Sequence, residues 1–198
     1  PHDSLPVRDC RRMMSAAHGA LYVFYSIHLA ANGYSKAEVG ALWSFGVVAE
    51  IMVFMLMTRL TRRYSLRALL LASFAAAVLR FLLIGWGVES LVIMVLAQLM
   101  HGLTFGAYHA SAIALINLWF PGRVQGRGQA LYSSISFGAG GLLGGLISGW
   151  TWDGIGAGWT YTLASLFAAA GFMLVWGWVR DDDAVCASGA AKNADTVR

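Results

Sequence analysis

Charge is what this sequence has least of: 12% of its 198 residues are charged and 58% are hydrophobic, where a soluble domain carries about 25% charged residues. That shortage excludes an ordinary soluble domain and predicts a membrane protein. Cysteine is scarce as well. Cys10 and Cys186 both lie outside the apolar stretches, so no disulfide framework is expected. Metal signatures are missing: there is no CxxC or HExxH, and the five histidines lack ligand spacing, so neither metal nor cofactor is expected. The glycine cluster near residue 140 follows no strand, which excludes a dinucleotide fingerprint. Ser133, Ser134 and Ser136 have no neighbouring base in sequence. Nothing here reads as an enzyme.

What is present is six apolar blocks, about Met14–Ala31, Lys36–Met57, Leu66–Val88, Ser90–Leu118, Gln129–Gly149 and Trp159–Trp178. Each is long enough for a span of about 20 residues. The expected fold is an all-α membrane protein with six transmembrane helices over residues 14–178. The first block is too long for a signal peptide and lacks a cleavage-type end. The chain opens at Pro1 and not at Met, as a fragment of a longer protein would. Residues 179–198 are polar and alanine-rich, and are expected to form a disordered tail.

Basic residues alternate sharply between loops. Arg8, Arg11 and Arg12 precede block one; Arg59, Arg62, Arg63 and Arg67 sit between blocks two and three; Arg123 and Arg127 lie between four and five. Arg180, Lys192 and Arg198 follow block six, whereas the other three loops hold Lys36 as their one basic residue. The positive-inside rule then places both termini in the cytoplasm. Trp86, Trp150, Trp152 and Trp159 cluster at the opposite ends, as an outer aromatic belt would. The formal charge of +4 is explained by topology, so the expected surroundings are a lipid bilayer, with no nucleic acid. The two triplets of blocks show no residue-level repeat.

Phe120–Gly149 combines these signals. A Pro121-Gly122 turn and Arg123 and Arg127 lead into about twenty uncharged residues with small side chains at every fourth position. Gly141, Gly145 and Gly149 form one line, and Ser136, Gly140, Gly144 and Ser148 another. In water each glycine would cost a helix about 1 kcal/mol relative to alanine. In lipid an unpaired backbone group costs more, so the segment stays helical and its bare stripe admits a neighbouring helix.

Ionisable groups inside spans are costly and usually face a bundle interior or cavity. Glu50 lies mid-block in GVVAEIMVF and Arg80 in AVLRFLLIG, at depths differing by roughly 6 Å, a gap two long side chains can bridge. The pair reads either as a structural brace or as a partnership that switches during transport. Gln98, His101, Phe105 and Tyr108 share one helical face of block four; His109 lies close by and reads as structural. His18, Tyr22 and Tyr25 form a polar-aromatic stripe on block one, which reads as substrate-facing. Trp43 reads as a packing aromatic or a ligand platform.

The motifs HGALYVFYSIHL, GYSKAEVGALWSFGVVAEI, FGAYHASAIALI and above all FPGRVQGRGQALYSSISFGAGG resemble the carboxyl-terminal half of the 3-phenylpropionate permease group. That group belongs to the major facilitator superfamily and is related to the lactose permease and nucleoside–proton symporter lines. The resemblance implies helices seven to twelve of a twelve-helix carrier, with residues 1–13 ending a central cytoplasmic loop. Its partner would be an amino-terminal six-helix half, and its cargo a small molecule and a proton. Helices one and four here would line the cavity; two and five, with Gly141, Gly145 and Gly149, would face the missing half. Glu50, Arg80 and His101 fall where lactose-permease-like symporters couple protons, but the second carboxylate of those sugar carriers is absent from block four. The implied function is symport of an aromatic carboxylate in a bacterial inner membrane, with His18, Tyr22, Tyr25, Trp43, Gln98 and Tyr108 binding substrate. A carrier for a nucleoside or sugar, or a stand-alone six-helix channel or scaffold associating through the glycine face, is the alternative.

Overall fold

The computed structural model describes residues 5–119 and 122–179; the first four residues, the Phe120-Pro121 turn and the expected tail beyond Val179 lie outside the described residues. Within them the chain is helical throughout, arranged as six rods. The first is α1 (Leu5–Ala31), the second α2 (Lys36–Arg63) and the third α3 (Leu66–Trp86). The fourth comprises α4 (Leu91–His101), a π-helical segment (Gly102–Ala107) and α5 (Tyr108–Trp119). The fifth runs through a 3-10 turn (Gly122–Val124), α6 (Gln125–Ser133), a second π segment (Ser134–Gly140) and α7 (Gly141–Ile155); the sixth is α8 (Ala157–Trp178).

Local chemistry sets the boundaries. Ser35 and Glu38 form a capping box at the start of α2: the Ser35 hydroxyl accepts from the Glu38 amide at 3.3 Å, and Glu38 Oε2 accepts from the Ser35 amide at 2.8 Å. Two orphan amides of the first turn are thereby satisfied. Ser65 caps α3 through the Ala68 amide. The basic residues Arg62 and Arg63 occupy the last turn of α2, where the helix dipole favours cations. Gly156 separates α7 from α8 at φ 88° and ψ 169°, a region essentially confined to glycine.

Five of the six rods are long and apolar enough to cross a membrane: Lys36–Arg63, Leu66–Trp86, Leu91–Asn117, Gly122–Ile155 and Ala157–Trp178. The first rod falls short of that hydropathy. It carries His18, Tyr22, Tyr25 and His28, and this polar-aromatic stripe dilutes an otherwise apolar helix. It also begins at Leu5, nine residues before the apolar block.

Packing follows the order fifth, first, sixth, third, fourth, second. The third and sixth rods meet closely because Gly171 leaves room for the Phe74 ring, which would collide with any Cβ there. Arg67 ties the start of the third rod to the end of the sixth: Nη2 donates to the Trp176 carbonyl at 2.9 Å, and the guanidinium lies 5.5 Å over the Trp176 ring. At the other end Trp86 and Trp159 pack edge to face at 5.6 Å and remain more than half exposed. The rods ending this order are the least covered. Only 17% of the apolar window of the second and 20% of the fifth is buried, against 56% of the third.

The glycine stripe divides between two environments. Gly144 rests against the backbone of Ala16, and a Cβ on Gly19 would lie 2.5 Å from the Gly144 carbonyl carbon; Gly140 packs on Ser15. A Cβ on Gly145 or Gly149 would make only an ordinary contact, with Val23 and Phe24 respectively, and one on Gly141 would meet nothing within 4 Å among the described residues.

Candidate functional site

Polar side chains concentrate where the fourth rod meets the first three. Arg80, fully buried on α3, donates from Nε to the Ala97 carbonyl at 2.8 Å, from Nη1 to Thr104 Oγ1 at 3.2 Å, and from Nη2 to Gln98 Oε1 at 3.3 Å. All three acceptors are neutral and lie on the fourth rod. An unpaired buried cation would cost several kcal/mol; here hydrogen bonds hold the guanidinium in place. Thr104 is itself anchored by donating to the His101 carbonyl at 3.3 Å.

Glu50 does not pair with Arg80. Its Oε2 lies 3.8 Å from His101 Nε2, and among the described residues no ion pair joins the two mid-span charges. The expected bridge fails because Glu50 sits on the face of α2 that crosses the π segment, beside Gly106, whereas Arg80 enters α4 and the same segment from α3. The crossing with α2 is tight: a Cβ on Gly102 would lie 2.6 Å from the Ala49 carbonyl oxygen, and one on Gly46 would lie 2.7 Å from Gln98 Oε1.

The π segment aligns rings down the fourth rod. His101 stacks on Phe105 at 5.5 Å and Phe105 on His109 at 5.8 Å. His109 Nδ1 and the Tyr132 hydroxyl share a 2.9 Å hydrogen bond that links the fourth rod to the fifth. On the first rod, His18 lies 6.4 Å from His101 and 5.9 Å from Tyr22, ring to ring. Tyr25 is fully buried beneath this layer, edge-on to Trp43 at 5.3 Å; Trp43 Nε1 donates to Ser26 Oγ at 3.0 Å.

A cleft of about 90 Å³ opens between the first, fourth and fifth rods, space for several waters or a small organic group. His18, Tyr22 and Tyr108 line it, as does Gly141. Tyr25, Trp43 and Gln98, also expected at the substrate, are not among its walls. Thr104, Phe105, His109 and Tyr132 are. Thr104 lies three residues after His101 and on the Ala97 side of the rod, where its hydroxyl reaches Arg80; an uncharged threonine in an apolar span does not stand out in the sequence. Tyr132 escaped notice because the fifth helix was expected to face elsewhere.

The comparisons with known proteins agree on a class. Residues 10–163 match the model of the MFS_1 like family. A "Probable 3-phenylpropionic acid transporter" of Escherichia coli (strain K12) is 35% identical over 159 residues, which cover 79% of this chain and 41% of that protein. The chain thus spans about two fifths of that relative's length. No solved structure matches the chain. With the motif resemblance, the all-helical fold and the family match in agreement, the chain belongs to the MFS_1 like family of membrane transporters.

Proposed function

We propose that this chain is the carboxyl-terminal, six-span half of a proton-coupled symporter that carries an aromatic carboxylate such as 3-phenylpropionate across a bacterial inner membrane by alternating access. Both ends face the cytoplasm, and the first rod spans despite its polar stripe. An amino-terminal six-helix half completes the carrier by covering the second and fifth rods. The uncovered side chains Val48, Ile51, Met55, Leu142 and Leu146 support that arrangement, as does the open line at Gly141.

The observation that carries the reading is Glu50 beside His101, on the same rod that holds the fully buried Arg80, in a chain of this family. Charges at mid-membrane are expensive and functional by default. Glu50 takes the coupling proton. Since Arg80 is already held by the fourth rod, protonation acts through the His101 contact and the π segment, not by releasing Arg80. The proton then biases the inward or outward state through its unequal affinity for the two. Tyr22 and Tyr108 face the substrate's ring in the cleft, and Tyr25 and Trp43 back them.

The test is uptake of labelled 3-phenylpropionate by vesicles carrying the complete carrier, with and without a proton gradient. Glu50→Gln is expected to abolish gradient-driven accumulation, a loss of about 100-fold or more, while substrate binding persists. Gradient-dependent uptake at the parent level in Glu50→Gln would remove the carboxylate from the coupling scheme.

A further inference from the structure

The cleft between the first, fourth and fifth rods is walled by Met14, Tyr22, Phe105 and Tyr108, and His18 is set into it. The His18 residue is 3% exposed. Its Nδ1 donates to the Met14 carbonyl at 2.9 Å, since a carbonyl oxygen only accepts; with the ring buried the charged form is disfavoured, and in the neutral ring protonated at Nδ1 the other nitrogen, Nε2, is a lone pair. Nε2 is buried and has no hydrogen-bond partner among the described residues. The ring is also fixed: Phe81 packs edge-on at 5.3 Å, and His101 and Phe105 flank it at 6.4 Å each. A rigid, buried, unsatisfied acceptor in an apolar-walled cleft calls for a donor from a ligand.

We propose that His18 Nε2 accepts a hydrogen bond from the ligand, so that the cleft takes a ring-bearing molecule through a neutral donor, an undissociated carboxyl or a hydroxyl, and not through a carboxylate. The proposal rests on the aromatic-acid reading and narrows it. A carboxylate is acceptor-only and would set lone pair against lone pair at Nε2. The buried cation, Arg80, does not line the cleft; its donors point to Ala97, Gln98 and Thr104. The acid therefore enters this cleft with its proton, donating O–H to Nε2 without transferring it, and the rings of Tyr22, Phe105 and Tyr108 take its aromatic end.

A matched pair of ligands tests this on the complete carrier. 3-Phenylpropan-1-ol and its methyl ether share ring and chain, but only the alcohol donates. The alcohol is expected to bind about tenfold more tightly to the parent protein, as one added hydrogen bond to a buried acceptor implies. That preference disappears in His18→Phe and largely survives in His18→Gln, which keeps an acceptor. On the parent protein, the 15N resonance of His18 Nε2 shifts on adding the alcohol and stays put with the ether, a readout independent of any variant's folding. Equal binding of the two ligands, an undiminished preference in His18→Phe, or an unmoved resonance would each overturn the proposal. So would failure of both ligands to bind, and gradient-driven uptake of 3-phenylpropionate in the same preparation would then show that the transport reading survives without it.

Discussion

Gly144→Leu is expected to leave almost no folded protein. The α1–α7 crossing is made by backbone against backbone, with Gly144 on Ala16 and Gly19 on Gly144, so no side chain can rotate aside to admit a larger residue. Overpacking a well-filled core costs about 1–3 kcal/mol when neighbours can adjust. Here two helices must separate, and the cost lies above that range. Separation would also open the cleft, since Met14, Ser15 and His18 line it from the first rod and Gly141 from the fifth. Gly141→Ala is the control: an added Cβ there meets nothing within 4 Å, so that substitution leaves this chain's own packing intact. Size-exclusion profiles and melting curves of both variants, with Gly144→Ala as the size-matched partner of the control, decide. A monodisperse Gly144→Leu protein with the parent melting temperature would show that the crossing is looser than its contacts imply.

The second large effect is functional. Arg80→Met is expected to reduce substrate accumulation about 100-fold or more while the protein folds and melts much as before. Because the three acceptors of Arg80 are neutral, methionine leaves no buried counter-charge behind and removes the cost of desolvating a cation, and the membrane adds its own preference for the uncharged residue. Against this, Gln98 Oε1 loses its donor, at about 1–3 kcal/mol. Thr104 keeps its bond to the His101 carbonyl, so the terms nearly cancel. A fold that tolerates methionine has no structural need for a cation there. Arg80→Lys should not rescue uptake, because one ammonium cannot serve three acceptors set for a guanidinium fork. Gradient-driven uptake measured beside thermal stability separates the roles. Unfolding of Arg80→Met, or full transport by it, would make Arg80 a brace.

Much of the architecture was legible because hydropathy in a membrane is nearly a direct reading of structure. Six apolar blocks returned as six helical rods, and the basic residues at 59–67 fall at the junction of α2 and α3. The family was legible in the motif beginning at Phe120, and the comparisons bear that out. Side-chain partnership was not. Depth along a span is countable, so Glu50 and Arg80 were placed at compatible heights; the azimuth at which α2 and α3 approach the fourth rod is set by packing, and it assigns Arg80 to Ala97, Gln98 and Thr104 and leaves Glu50 to His101. The glycine lines were countable too, yet which line meets α1 depends on the first rod's own small residues, Ser15, Ala16 and Gly19. That complementarity becomes visible only once the two rods are side by side.

The π segment of the fourth rod makes residue count itself a functional property. Each residue of an α-helix advances the chain by 100°, and the segment Gly102–Ala107 absorbs more chain than α geometry would. Upstream, Ala97 and Gln98 are pinned to Arg80; downstream, Tyr108 and His109 face the cleft. Removing one residue between them would leave composition and hydropathy nearly unchanged and would let the segment close to α geometry, so that the downstream pair keeps its wall while the side chains inside the segment, Thr104 and Phe105, shift against Arg80 and His18. In this stretch length is as tightly specified as chemistry, and a change of one residue rewires the site without altering a single side chain in it.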